Sequence, residues 1–376
     1  MNGRTNARLA GAAIIACAAG LPLAAAALAG RPLSEVFTFP PLLRIPIGYP
    51  RFSIVAAAAV LLPFVGLGAA WWRHAARGRG NARPAPAAMN RTRFPVWGWV
   101  AAAWMGIWWA LAWTRFTWFE PVQRFTFVPL WVGFIVVVNA VTQARCGGCR
   151  MIRTPGRFAG LFLASAFFWW TFEWLNRFSQ NWHYLGVADF GPVAYAVHAS
   201  VSFSTVLPAV ASVADLIGTS RKWNSGCVAG LPLVWLNRPL TGVILILIGL
   251  AGLAGTGAAP QEFYAALWAA PLALVLGDSI LGHREPLASE VARGDWGTAA
   301  TWAAAALACG FCWEMWNVHS AAKWIYTVPY ADRWHVFEMP ALGYAGYLPF
   351  GIECYFAIAR LFGSAWARPF SSVSST

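Results

Sequence analysis

Residues 309–353 read CGFCWEMWNVHSAAKWIYTVPYADRWHVFEMPALGYAGYLPFGIE, and residues 172–210 read FEWLNRFSQNWHYLGVADFGPVAYAVHASVSFSTVLPAV. Glu173 and Glu314 are 141 positions apart, as are Asn176 and Asn317, Leu207 and Leu348, and Pro208 and Pro349. The signature Trp-x-Tyr follows in both, as Trp182/Tyr184 and Trp324/Tyr326, shifted by one residue. A stretch that recurs with its carboxylate and its amide is read as an internal repeat. The spacing predicts a unit of membrane helix, aromatic loop and second helix, used twice.

The surroundings of the two stretches set the solvent. Of the 376 residues, 59% are hydrophobic and 11% charged, and the mean hydropathy is +0.54. A soluble chain carries about 25% charged residues, so an integral membrane protein is expected. Apolar runs centre on 9–30, 53–72, 96–113, 126–144, 158–178, 192–217, 241–256, 262–281, 298–318 and 338–360. Each approaches the roughly 20 residues of a spanning helix. The expected fold is therefore all-α: a polytopic bundle of about ten transmembrane helices with a parallel repeat. Its segments are a helix pair at 1–72, an Arg/Pro/Ala linker at 73–95, a pair at 96–157, repeat unit one at 158–217, a pair at 218–297 and repeat unit two at 298–376.

The formal net charge of +13 does not point to nucleic acid, because the basic residues collect in alternate loops. Of the 27 Lys and Arg, nineteen fall on the side that holds the N-terminus and eight on the other. The positive-inside rule then predicts a bacterial-type inner membrane protein with both termini cytoplasmic. The Ala-Leu-Ala before Gly30 has the form of a signal-peptidase site. A retained first helix is expected instead, since it keeps the loop charges consistent. On this topology Cys146-x-x-Cys149 lies in an inner loop and Cys309-x-x-Cys312 in mid-membrane, so they do not share one tetrahedral metal site.

Glu and Asn at i and i+3 share a helix face. A carboxylate inside a bilayer faces protein or a wet cavity and marks function by default. Two readings follow for Glu173 and Glu314. Facing one another, they are a general acid and base, oriented by Asn176 and Asn317. Otherwise each is a polar clamp between helices. Trp182, Tyr184, Trp324 and Tyr326 are either interfacial aromatics or the walls of a pocket. Glu338 is expected at the outer start of the last helix, as a third carboxylate or as a helix-terminus charge. His319 is placed near the cavity mouth. Glu353, deeper on that helix, lacks an evident partner. The histidines lack the clusters of a di-iron site, the five aspartates lack the pairing that holds magnesium and a diphosphate, and no nucleotide or hydrolase motif occurs. Neither metal nor cofactor is expected.

The order of a helix-end acid, Trp324-x-Tyr326-x-x-Pro329 and Phe337-Glu338-Met339-Pro340 resembles the membrane lycopene cyclases and carotenoid hydratases. The Pro-x-Glu-Glu of the cyclases is absent; Glu338 alone stands there. The resemblance implies a polyprenoid-acting membrane enzyme that works by acid chemistry without redox change. The expected function is acid–base catalysis on an apolar, isoprenoid-like lipid. A lipid or small-molecule transporter with a protonatable Glu and a non-catalytic partner subunit are the alternatives. Membrane lipid is the expected partner, and the sequence leaves the oligomeric state open.

Overall fold

Each of the ten apolar runs overlaps a helix in the computed structural model, which describes residues 3–43, 48–76, 91–220, 223, 230–282 and 285–369. The long helices are α1 (Gly3–Leu28), α2 (Ile54–Ala76), α3 (Val96–Trp113), α4 (Phe127–Cys146), α5 (Pro155–Ser179), α6 (Pro192–Phe203), α7 (Val206–Gly218), α8 (Pro239–Ala258), α9 (Ala266–Gly282), α10 (Gly297–Asn317) and α11 (Tyr347–Phe362). Among the described residues, six segments are long and apolar enough to cross a membrane: 10–28, 54–74, 127–146, 155–179, 192–218 and 239–258. The middle of the 73–95 linker, residues 77–90, lies outside the described residues.

Local chemistry sets the boundaries. Pro155, Pro192 and Pro239 open α5, α6 and α8 at the first helical turn, where a missing N–H costs nothing. Gly147 ends α4 in a left-handed turn at φ 72°, as a C-terminal glycine does. The run 192–217 breaks at Ser204 and Thr205 into α6 and α7.

α7 is the centre of the bundle, packed against α10, α4 and α5. It has no exposed polar face, and all its residues but Leu216 and Ile217 are buried, as befits a helix surrounded by others. α2 is the opposite case, with Ala57 alone buried among its described side chains. It meets the 341–346 stretch, and near its ends lie the Phe52–Ala331 bridge and the Trp71–Trp296 ring contact. Small residues permit the closest crossings. A Cβ on Gly351 of α11 would fall 2.2 Å from the Trp302 carbonyl of α10, and one on Gly277 of α9 2.7 Å from the Gly242 carbonyl of α8.

Polar contacts separate the two ends of the bundle. At one end, buried Arg150 pairs with Asp215 at 2.6 Å, Arg360 with Asp278 at 2.7 Å and Arg368 with Glu290 at 2.5 Å. At the other end lie two small antiparallel sheets: β1 (Trp182–Leu185) with β2 (Lys323–Tyr326), and β3 (His335–Val336) with β4 (Met339–Pro340). Here the structure corrects the sequence reading. The last run is not one helix over 338–360. Glu338 sits in the tight turn between β3 and β4, a 3₁₀ segment covers Ala341–Gly346, and helix begins only at Tyr347. Phe337 at φ 58° makes that turn, and pairing to His335 holds Pro340 in a strand.

Candidate functional site

The two helix-end asparagines do not reach toward each other; each takes hold of the strand that follows it. Asn176 Oδ1 accepts the main-chain N–H of Asn181 at 2.7 Å, and its Nδ2 donates to the Trp182 carbonyl at 2.8 Å. Asn317 Oδ1 accepts the Trp324 N–H at 2.8 Å, and its Nδ2 donates to the Trp324 carbonyl at 2.7 Å. Each amide thus acts as a strand partner for the tryptophan main chain. The second connection is one residue longer, which accounts for the shifted signature.

The glutamates bind the side chains of the same strands. Glu173 Oε1 accepts from Tyr184 Oη at 2.6 Å, Trp182 Nε1 at 3.0 Å and, one turn back on α5, Trp169 Nε1 at 2.9 Å. Glu314 Oε1 accepts from Tyr326 Oη at 2.7 Å, Trp324 Nε1 at 3.4 Å and Tyr347 Oη of α11 at 2.8 Å. The strands then pair antiparallel, with Trp182 opposite Tyr326 and Tyr184 opposite Trp324. Two Glu–Trp–Tyr–Asn sets therefore meet through one two-stranded sheet.

That sheet is a wall. On one side is a cavity of about 320 Å³, lined by Trp169, Trp182, Trp268, Trp313, Trp324 and Phe350 and by the phenols of Tyr184, Tyr326 and Tyr347. Trp268 lies at the heart of the cluster, its ring 5.0 Å from Phe172, 5.7 Å from Trp182 and 5.7 Å from Phe350. Such ring pairs favour tilted and edge-on contacts. Glu173 and Glu314 are buried behind this wall and are not among its lining residues. Burial, then the Glu173 charge, holds the Tyr184 phenol well above its usual range, and Glu314 does the same for Tyr326. Both phenols therefore keep their protons as donors. On the far side of Trp182 and Tyr184, a more polar cavity of about 190 Å³ is lined by Glu173, Asn176, Arg177 and His183. The buried His183 ring meets Thr327 Oγ1 at 2.8 Å, and burial pushes its pKa down.

The other sequence candidates lie apart. Glu338 is ion-paired with Lys323 at 2.5 Å, in the loop layer. His319 is exposed, its ring centroid 5.1 Å from that of Trp113 and its carbonyl bound by Arg115 at 2.6 Å. Both carboxyl oxygens of Glu353 are buried without a hydrogen-bond partner among the described residues. Among the described residues no three His, Cys, Asp or Glu side chains gather as metal ligands.

Trp169, Trp268, Trp313, Tyr347 and Phe350 of the cavity wall escaped the sequence reading. Trp169 was legible, since it stands four positions before Glu173 on one helix face. Trp268, Tyr347 and Phe350 come from other helices, and nothing in their own segments announces the contact. No family model matches the chain, and neither a curated protein nor a solved structure matches it.

Proposed function

We propose that this chain is a multi-pass inner-membrane protein that takes an apolar, isoprenoid-like lipid into the aromatic cavity. One observation carries the reading. The indole and phenol polar atoms of Trp182, Tyr184, Trp324, Tyr326 and Tyr347 are tied to two carboxyls behind the wall. The wall that remains offers ring faces and edges, which suit a hydrocarbon. A cavity of this size and apolar lining falls in the range for small-molecule sites.

The matched hydrogen bonds of the two strands support two copies of one helix–strand–helix unit, related by a two-fold axis near the membrane normal. The arginine-rich end is cytoplasmic, with both termini on that side. The cavity's lining includes no described residue of 217–240 or 282–297, which favours binding or catalysis over passage across the membrane. Acid–base chemistry on the bound lipid is the second reading, favoured by the three phenol hydroxyls that stand between Glu173 or Glu314 and the cavity. In that reading the carboxyls act through the phenols.

Mass spectrometry of lipid retained by the purified protein tests the proposal. Gly346 lines the cavity, and a Cβ there would lie 4.0 Å from Trp268 Cδ1, so Gly346→Phe fills the space without disturbing the backbone. A retained apolar species lost in Gly346→Phe supports the reading. The same lipids in both proteins, in bulk-membrane proportions, refute it.

A further inference from the structure

The cavity wall contains a hydrogen-bond acceptor that none of the described residues satisfies. Asn181 lies between the end of α5 and β1, is 3% exposed and lines the aromatic cavity. Its main chain is fixed on both sides: the N–H donates to Asn176 Oδ1 at 2.7 Å, and the carbonyl accepts from the Thr327 N–H at 2.9 Å. Its side-chain Nδ2 donates to the Tyr264 carbonyl at 2.9 Å. A main-chain carbonyl only accepts, so the amide nitrogen must face Tyr264 and the amide is not free to flip. Oδ1 is then a pure acceptor, and it is buried without a partner. A buried polar atom left unpaired is costly and calls for an explanation.

We infer that the molecule bound in this cavity carries a hydroxyl group that donates to Asn181 Oδ1, so the ligand is an apolar alcohol rather than a plain hydrocarbon. This rests on the cavity reading above and adds the polar group of its ligand. The charge of the wall selects the kind of donor. The cationic residues lining the cavity are Arg124 and Lys323, and each already holds an anion outside it, Asp189 at 2.7 Å and Glu338 at 2.5 Å. Two cations in the lining disfavour an ammonium ligand, and their existing pairs leave no open site for a carboxylate. A neutral O–H fits. Two more lining atoms without partners, His198 Nε2 and Ser202 Oγ one turn apart on α6, make the same wall unsuited to a pure hydrocarbon.

All-trans-retinol and its methyl ether serve as probes, since both have an apolar polyene body and only the alcohol donates. Binding to the purified full-length protein is read by energy transfer from tryptophan to the polyene. The alcohol is expected to bind at least about tenfold tighter, the scale for one buried acceptor left unpaired. Asn181→Leu, close in shape, is expected to weaken retinol to the level of the ether and leave the ether unchanged. Equal or tighter binding of the ether to the intact protein overturns the inference while the cavity reading stands. Binding of neither probe overturns both. The alcohol–ether comparison needs no variant, so it decides the matter even where Asn181→Leu does not fold.

Discussion

Replacing Glu314 by alanine removes the one acceptor on which three donors converge. Tyr326 Oη, Tyr347 Oη and Trp324 Nε1 all converge on Oε1. An orphaned buried donor costs about 1–3 kcal/mol. The three losses do not add, because Trp324 Nε1 already reaches Tyr326 Oη at 2.8 Å and stays satisfied there. Two stranded phenols give an expected loss of about 2–4 kcal/mol. Glu314→Gln keeps the accepting oxygen but sets a buried NH2 where Oε2 has no partner, for about 1–2 kcal/mol. Tyr347→Phe deletes one bond to the carboxyl, again about 1–2 kcal/mol. In the Glu314→Ala background the same Tyr347→Phe change removes an orphan instead of a bond. Its cost there should vanish, giving a coupling of about 1–2 kcal/mol. Thermal unfolding of the detergent-solubilised proteins, followed by tryptophan fluorescence, reads these as falls in Tm of roughly 2 °C per kcal/mol for a chain of this length. A Glu314→Ala protein that melts with the wild type, or a Tyr347→Phe cost unchanged by the loss of Glu314, would refute the clamp.

Three further outcomes are expected. His183 is held neutral by burial, with its folded pKa below the ordinary 6.5; the unfolded chain therefore binds the proton first, and stability should fall as pH drops below about 6.5. Melting curves from pH 7.5 to 5 should show a shallower fall in His183→Gln, and identical slopes would remove His183 as the cause. Glu353 has no hydrogen bond to lose, so Glu353→Leu should match or exceed the wild-type Tm, since an apolar residue of similar size replaces a buried carboxyl at no cost or a gain; a drop of several degrees would reveal a partner. In a background without native cysteines, a membrane-impermeant thiol reagent added from outside should label His319→Cys and miss Arg293→Cys, both exposed positions; the reverse pattern inverts the orientation.

The sequence by itself determined the apolar character and the helices. Bilayer-length apolar runs are a one-dimensional signal, and they survive in the helices; Asn176 and Asn317 each hold the strand that follows them, and Glu173 and Glu314 each bind the tyrosine of that strand. The run 338–360 misled because an apolar composition does not separate a helix from a hairpin: Phe337 and Glu338 turn back on themselves, and only the pairing of His335 with Pro340 reveals it. The direction in which each carboxyl points was equally out of reach. Period and spacing give the face of a helix, but the partner on that face is chosen by the chain 6 to 33 positions away that folds over it. Glu173 and Glu314 turn to the indoles and phenols of their own loops, not to each other, because those N–H and O–H groups need an acceptor once the rings are buried. The cavity is likewise a tertiary product. Trp169, Trp268, Trp313 and Phe350 come from four helices, and the space between them exists only where those helices fail to close on one another.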